Sequence, residues 1–212
     1  ATYHGASDQW PRAMEVMVDG RPVYLNTVST IEWSTLGLAI EDIERIEVVR
    51  GTNAASFGSN ALTASINIIT RAPFLMQGKY LRATGGSLDT KNAMARWGGA
   101  VAGWDVSLTA QHRSDDGFDN INDDKDLTDL RLRGDYQASG TDSWSVQLGL
   151  TDGATGADGR RGDPGNPARD RELRSHYQQL TWNRVLPDAS RHRVNLVHQY
   201  DDRDDRYNLD LA

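Results

Sequence analysis

The sequence predicts a mixed α/β segment followed by antiparallel β-strands of the transmembrane-barrel kind, arranged as an incomplete barrel. Three observations carry this. From about Lys79 onward apolar and polar residues alternate with period two. The runs are about 9–11 residues long, the length that crosses a bilayer when tilted. The connections between them alternate between short and long, as in outer-membrane barrels.

The alternation is clearest in "WDVSLTAQHR", where Trp104, Val106, Leu108 and Ala110 oppose Asp105, Ser107, Thr109 and Gln111. "DLRLRGDYQA" sets Leu130, Leu132 and Tyr136 against Asp129, Arg131, Arg133 and Asp135. "SWSVQLGLT" sets Trp144, Val146, Leu148 and Leu150 against Ser145, Gln147 and Thr151. "HYQQLTWNRV" and "RHRVNLVHQYD" repeat the pattern more weakly. A strand with one apolar and one strongly polar face must put them in different environments. A soluble antiparallel sandwich shows the same alternation and stays open as an alternative, although its strands average only about 5–6 residues.

Aromatic residues stand toward the run ends, at Trp104, Tyr136, Trp144 and Tyr200, where an interfacial girdle places them. "AGW", "ASGTD" and "LPDASR" read as short turns on one side. "SDDGFDNINDDKD" and "TDGATGADGRRGDPGNPARDRE" read as long polar loops on the other, together with the shorter "GSLDT".

The first 72 residues have a different texture. Asp19-Gly20, between Val16-Met17-Val18 and Val23-Tyr24, is a strong hairpin signal. "NTVSTIEWSTLGLAI" reads as loop with a short helix, and Glu41-Asp42 as a helical turn. "RIEVVR" and "SINIIT" are strands on their β-branched content. Pro73 closes the region, because proline cannot continue a sheet interior.

Composition narrows the function. Of the 212 residues 38% are hydrophobic, and no apolar run approaches the roughly 20 that a membrane helix requires. Alternating barrel strands are as polar as this on average. The absence of cysteine removes disulfides, zinc–thiolate sites and thiol catalysis. A net charge of −7 without a basic cluster gives nucleic-acid binding no electrostatic support. The chain starts at Ala1, shows no signal peptide and stops within the strand-like "YNLDLA", so a fragment is expected.

Catalytic motifs are missing. The small-residue segment "GTNAASFGSNA" has no Lys-Ser/Thr after Gly58 and too few glycines for a dinucleotide fingerprint. His4, His112, His176, His192 and His198 lack metal-ligand spacing, and no G-x-S-x-G elbow occurs. The acidic run from Asp115 to Asp126 does not follow the spacing of a calcium loop and contains Lys125. A solvated polar loop is its better reading. No enzyme and no cofactor are expected.

"IERIEVVRGTNAASFGSNALTASINIITR" closely resembles the plug-domain motif of TonB-dependent outer-membrane receptors: an I-E-R-I-E-V strand, R-G-P, a small-residue loop, Y-G-S-x-A-x-G-G and V-I-N-I-I-T-K. Upstream, "MEVMVDGRPVY" is similar to the family's "vLVLIDGvpvy" hairpin, and "TIEWSTLGLAIEDIERIEV" to its "W-x-x-L-P-L-x-x-I-E-R-I-E-V" run. Motifs carry the likeness over about residues 10–72 and architecture carries it over 73–212, helped by "HRSDDGF". Thr52 replaces the proline after Arg-Gly, Phe57 the tyrosine, and Thr63-Ala64 the paired glycines. Phenylalanine keeps the packing body without the hydroxyl, and Thr63-Ala64 restrict positive φ at that turn.

The resemblance implies a C-terminal plug portion over 1–72 and the first roughly seven strands of an approximately 22-stranded barrel over 73–212. It implies a bacterial outer-membrane transporter that binds a scarce small molecule, including metal chelates: ferric siderophore, haem or cobalamin. Its partners are outer-membrane lipid and the TonB system, whose contact segment is absent from this chain. Substrate would meet Trp10, Asn26, Thr27 and Trp33 in the plug loops. Arg45 and Arg50 would pair with acidic residues of the barrel wall, expected beyond residue 212. A receptor for sugars or peptides, or a signalling receptor, shares these motifs. A seven-strand sheet with two open edges is not expected to transport alone, since hydrocarbon does not tolerate unpaired edges.

Overall fold

The computed structural model describes residues 14–24, 31–52, 54, 58, 60–157 and 167–206. The chain divides into two compact units, Ala1–Arg71 and Ala72–Ala212.

The first unit holds a four-stranded mixed sheet in the order β2-β1-β4-β3. Strand β1 (Met14–Val18) is buried at every position, as an apolar inner strand must be. The Asp19-Gly20 pair turns it into the short β2 (Arg21–Pro22). Both turn residues have positive φ, 52° and 80°, the conformation that matches the twist of a tight hairpin. On its other side β1 runs parallel to β4 (Ala64–Thr70), with Val16 opposite Ile66. Strand β3 (Ile43–Arg50) pairs antiparallel with β4 and forms the sheet edge.

Met14, Val16, Val18, Val23, Tyr24, Ile31, Ala64 and Ile68 make the core, with Leu36, Leu38, Ile43 and Ile66 packed against it. Tyr24 Oη donates to the Met14 carbonyl, which satisfies a hydroxyl that would otherwise be costly to bury. The expected helical features are two 3-10 turns, Trp33–Thr35 and Ile40–Asp42. After the proline turn Pro73–Leu75 the second unit begins its sheet.

That sheet is a seven-stranded meander in which neighbours in sequence are neighbours in space. Its strands are β5 (Gly78–Gly85), β6 (Lys91–Val101), β7 (Trp104–Asp115), β8 (Lys125–Gln137), β9 (Asp142–Gly156), β10 (Asp170–Val185) and β11 (Arg191–Asp205). All pairings are antiparallel. The strands from β6 onward run from 11 to 16 residues, longer than the sequence suggests. Strands β9 and β10 differ most, at 15 and 16 residues. "TDGATG" reads as loop by composition, yet β9 stays paired through Thr155 with β8 and through Gly156 with β10. The β9–β10 connection therefore shrinks to residues 157–169.

The two faces of this sheet are inverted relative to a soluble protein. Leu108, Leu130, Leu148 and Leu150 are exposed, while Thr109, Gln111, Asp129, Arg131, Gln147 and Thr151 are buried. A soluble sandwich buries its apolar face, so the sandwich alternative does not fit.

Candidate functional site

Of the residues expected to meet substrate, Trp10, Asn26 and Thr27 lie outside the described residues. Trp33 opens the first 3-10 turn and is 45% exposed. The turn is tied by the Thr35 N–H and hydroxyl, both donating to the Glu32 carbonyl at 3.1 Å. An indole on a short, hydrogen-bonded turn is a rigid apolar contact surface with a polar edge.

The two candidate lock arginines stand on β3 and both are exposed. Arg45 reaches Glu44 at 2.7 Å and Glu47 at 2.9 Å on its own strand. These hydrogen bonds, chiefly the one to Glu47, hold the guanidinium further into its charged form. Exposed pairs of this kind contribute little to stability. Arg50 ends the strand opposite Ala64, just before Gly51, whose N–H donates to Thr63 O at 2.8 Å.

The polar face of the second unit carries networks that the alternation announced only as polar positions. Arg113 holds Asp129 at 2.9 Å, and the Thr151 hydroxyl donates to the same carboxylate at 2.9 Å. Arg131 donates to Gln147 at 2.8 Å. Arg133 pairs with Asp135, which also accepts from Ser145 at 2.7 Å. Arg96 lies over the Tyr80 ring, 5.0 Å from its centroid. Near the long connections Arg169 and Arg171 converge on Asp205, at 2.6 Å and 3.4 Å. Arg133 and Asp135 are two apart on one strand, whereas the cross-strand register forms the Arg113–Asp129 and Arg131–Gln147 contacts, which no local spacing marks.

The acidic run 115–126 is shaped by its own hydrogen bonds. Asp123 accepts from the Phe118 N–H at 2.7 Å, and Lys125 pairs with Asp115 at 3.2 Å. Asn122 donates to the Arg169 carbonyl at 2.7 Å and to Asp170 at 3.0 Å. Among the described residues no group of three or more His, Asp or Glu side chains is arranged to hold a metal ion.

A small mixed sheet with an exposed tryptophan turn is followed by a seven-stranded antiparallel meander that exposes leucines and buries polar side chains. Residues 2–65 match the family described as TonB-dependent Receptor Plug Domain. It is 35% identical over 86 residues to the vitamin B12 transporter BtuB of Vibrio cholerae serotype O1, an overlap of 41% of this chain and 14% of that protein. It is 38% identical over 71 residues to the ferric enterobactin receptor PirA of Pseudomonas aeruginosa, covering 30% of this chain and 10% of the relative. The matched region thus spans a small part of these relatives' length.

The fold is shared more widely than the sequence. The ferric-catecholate import receptor Fiu of E. coli K12 superposes with a TM-score of 0.71 at 12% identity, over 92% of this chain and 32% of that one. The alcaligin receptor FauA of Bordetella pertussis gives 0.67 at 12% identity, over 89% and 31%.

Proposed function

We propose that the intact protein is a TonB-dependent outer-membrane transporter that imports a scarce small molecule of the ferric siderophore, haem or cobalamin class. Residues 1–72 serve as the C-terminal part of an α/β plug and residues 73–212 as the first seven strands of its barrel. Binding and gated passage are the activity, with no covalent chemistry. The reading rests above all on the inverted sheet: large apolar side chains exposed on one face, with arginine, aspartate and glutamine buried on the other.

A second feature supports it. One cross-strand row runs Lys79, Trp97, Leu108, Leu132, Leu148, Gln178, His198. It is apolar only in the middle. On β5 the apolar residues on this face, Leu81 and Ala83, lie toward the β5–β6 connection. On β11 they are Val194 and Leu196, toward the opposite, short-turn end. Rows perpendicular to tilted strands cross a hydrocarbon slab obliquely and leave it at both ends.

In this reading Trp33, with Trp10, Asn26 and Thr27, belongs to the substrate-facing loops. Arg45 and Arg50 offer positive charge to acidic groups of the barrel wall, where an unpaired partner would cost several kcal/mol. TonB supplies the energy for plug rearrangement. The test is uptake of labelled cobalamin and of ferric siderophores by cells whose only such receptor is the full-length protein. Location in the outer-membrane fraction with saturable uptake of one class is expected; a protein recovered from buffer without detergent, or no uptake of any class, rules the reading out. Arg50→Ala is expected to raise passive leakage of bulky antibiotics or to lower uptake, and unchanged values for both remove its lock role.

A further inference from the structure

Strand β5 starts at Gly78, opposite Gly98 of β6. The residues just before it do not continue along β6. Gly78 has φ 99°, a conformation that residues with a side chain rarely adopt, and there the chain bends off the line of the sheet. It bends onto the polar face, because Gly98 stands opposite the buried Ser107 of β7. The 3-10 turn Pro73–Leu75 then packs against β6, β7 and β8.

The two glycines serve different needs. A Cβ on Gly78 would meet nothing within 4 Å, so only the backbone there demands glycine. Gly98 is not in the positive-φ conformation, and what it supplies is space. A Cβ built on it would collide with the Met76 carbonyl oxygen, 2.7 Å from the carbonyl carbon and 3.3 Å from Gln77 Cα. These are backbone atoms, which cannot swing aside as the end of a side chain can.

The connecting segment Ala72–Gln77 is tied within itself. Leu75 N–H donates to Ala72 O at 3.0 Å and Met76 N–H to Pro73 O at 2.9 Å. The Gln77 side-chain amide adds a second donor to Pro73 O at 3.2 Å. Proline fixes one backbone angle of the turn. Pro73 and Met76 are buried, whereas Phe74 and Leu75 are exposed.

We propose that Gly98 is a positioning residue: the gap left by its missing side chain is a notch that seats the Met76–Gln77 backbone and fixes the strap Ala72–Gln77 to β6. The proposal rests on the transporter reading above for its functional meaning. A pull on the first unit leaves it through this strap. A strap hanging from the end of β5 would hand the pull to the Gly78–Gly98 end of the ladder and open it pair by pair. A strap seated in the notch spreads the load over β6, β7 and β8, so movement is taken up before Ala72.

The experiment uses the full-length protein in cells, free of other cysteines, with one buried reporter at a time: Met76→Cys in the strap or Ser107→Cys in the sheet. Gly98→Ala should speed maleimide labelling at position 76 about tenfold or more and leave position 107 within about twofold of the parent. Gly140→Ala, whose Cβ meets nothing within 4 Å, should change neither rate. Without a reporter, Gly98→Ala should bind the labelled cobalamin, haem or ferric siderophore that the parent imports as tightly as the parent does. Its energised uptake should fall several-fold. Unchanged labelling at 76, equal acceleration at 107, or unchanged uptake overturns the notch. A parent that imports none of these probes refutes the transporter reading, while the labelling rates still decide the notch.

Discussion

Asp19 holds Thr70 twice: Oδ1 accepts the Thr70 N–H at 2.9 Å, and Oδ2 accepts its hydroxyl at 2.6 Å. Asp19 is thus more than half of a turn. Its own N–H donates to Ile68 O at 2.9 Å, and Gly20 N–H donates to Asn67 Oδ1 at 3.1 Å, so the hairpin is sewn to the end of β4. Both Asp19 and Thr70 are buried. Asp19→Ala leaves a buried N–H and hydroxyl unsatisfied and should cost about 2–3 kcal/mol locally. The Thr70 amide should then exchange its hydrogen roughly thirtyfold faster or more. An unchanged rate would mean that the β4 end is held by packing alone.

Asp129 occupies the same kind of position in the second unit. Its side chain is 4% exposed and receives both Arg113 and Thr151. Asp129→Ala removes the buried acceptor of both Arg113 and Thr151, at a cost of about 1–3 kcal/mol. Asp129→Ala should therefore lower the temperature at which the intact protein loses its folded mobility on detergent gels. Pairing it with Arg113→Met should recover part of the loss. Equal melting of the single and double variants would contradict this.

Gly149 lies under Tyr177, its cross-strand partner. A Cβ built on Gly149 would fall 2.1 Å from the tyrosine ring, far inside contact distance. Gly149→Ala should destabilise the seven-stranded sheet by roughly 1–3 kcal/mol through overpacking. The same substitution on a Tyr177→Ala background should be close to neutral. Additive losses in that cycle would show that the ring does not rest on the glycine.

Burial raises the Glu15 carboxyl above its ordinary 4.5, although the Asn60 hydrogen bond partly opposes this. The folded form therefore keeps its proton at pH values where the unfolded chain has released it. The stability contributed is complete below the unfolded value and is lost as pH rises from 4.5 through the folded one. Burial, then the Glu15 charge, pushes the Tyr24 phenol from 10.0 up to about 12, so a second loss falls in that alkaline window. Hydrogen-exchange protection of β1, corrected for the intrinsic rate, should decline from pH 4.5 toward neutrality. Glu15→Gln should flatten that decline, and a variant that keeps the full slope assigns it to another group.

Much of this fold is legible because a sheet with two unlike faces imposes a period of two on its residues. Trp104 to Gln111 and Leu130 to Asp135 display both faces in sequence, and the structure exposes Leu108 and Leu130 while it buries Ser107, Thr109, Gln111 and Arg131. The continuation of β9 through Gly153 and Gly156 is not legible, because Gly and Asp there have turn composition. The ladders to β8 and β10, which hold that stretch extended, are long-range. The site divides in the same way. Local pattern is all that nominates Trp33, whereas the Arg113–Asp129 pair depends on a register that places Gln111 opposite Asp129.

On the apolar face Trp104 stacks on Tyr136 at 5.1 Å, Tyr136 pairs with Trp144, and Trp144 lies 6.3 Å from Trp182. These rings follow a line across the strands, and strands about 4.8 Å apart that lean by some 40° lift such a line by about 3 Å at each step. In a barrel inserted as proposed, the aromatics would form a staircase rather than a level belt. Three indoles in one short chain then sample three immersion depths, and quenchers fixed at different heights along the lipid tails would extinguish their fluorescence one after another.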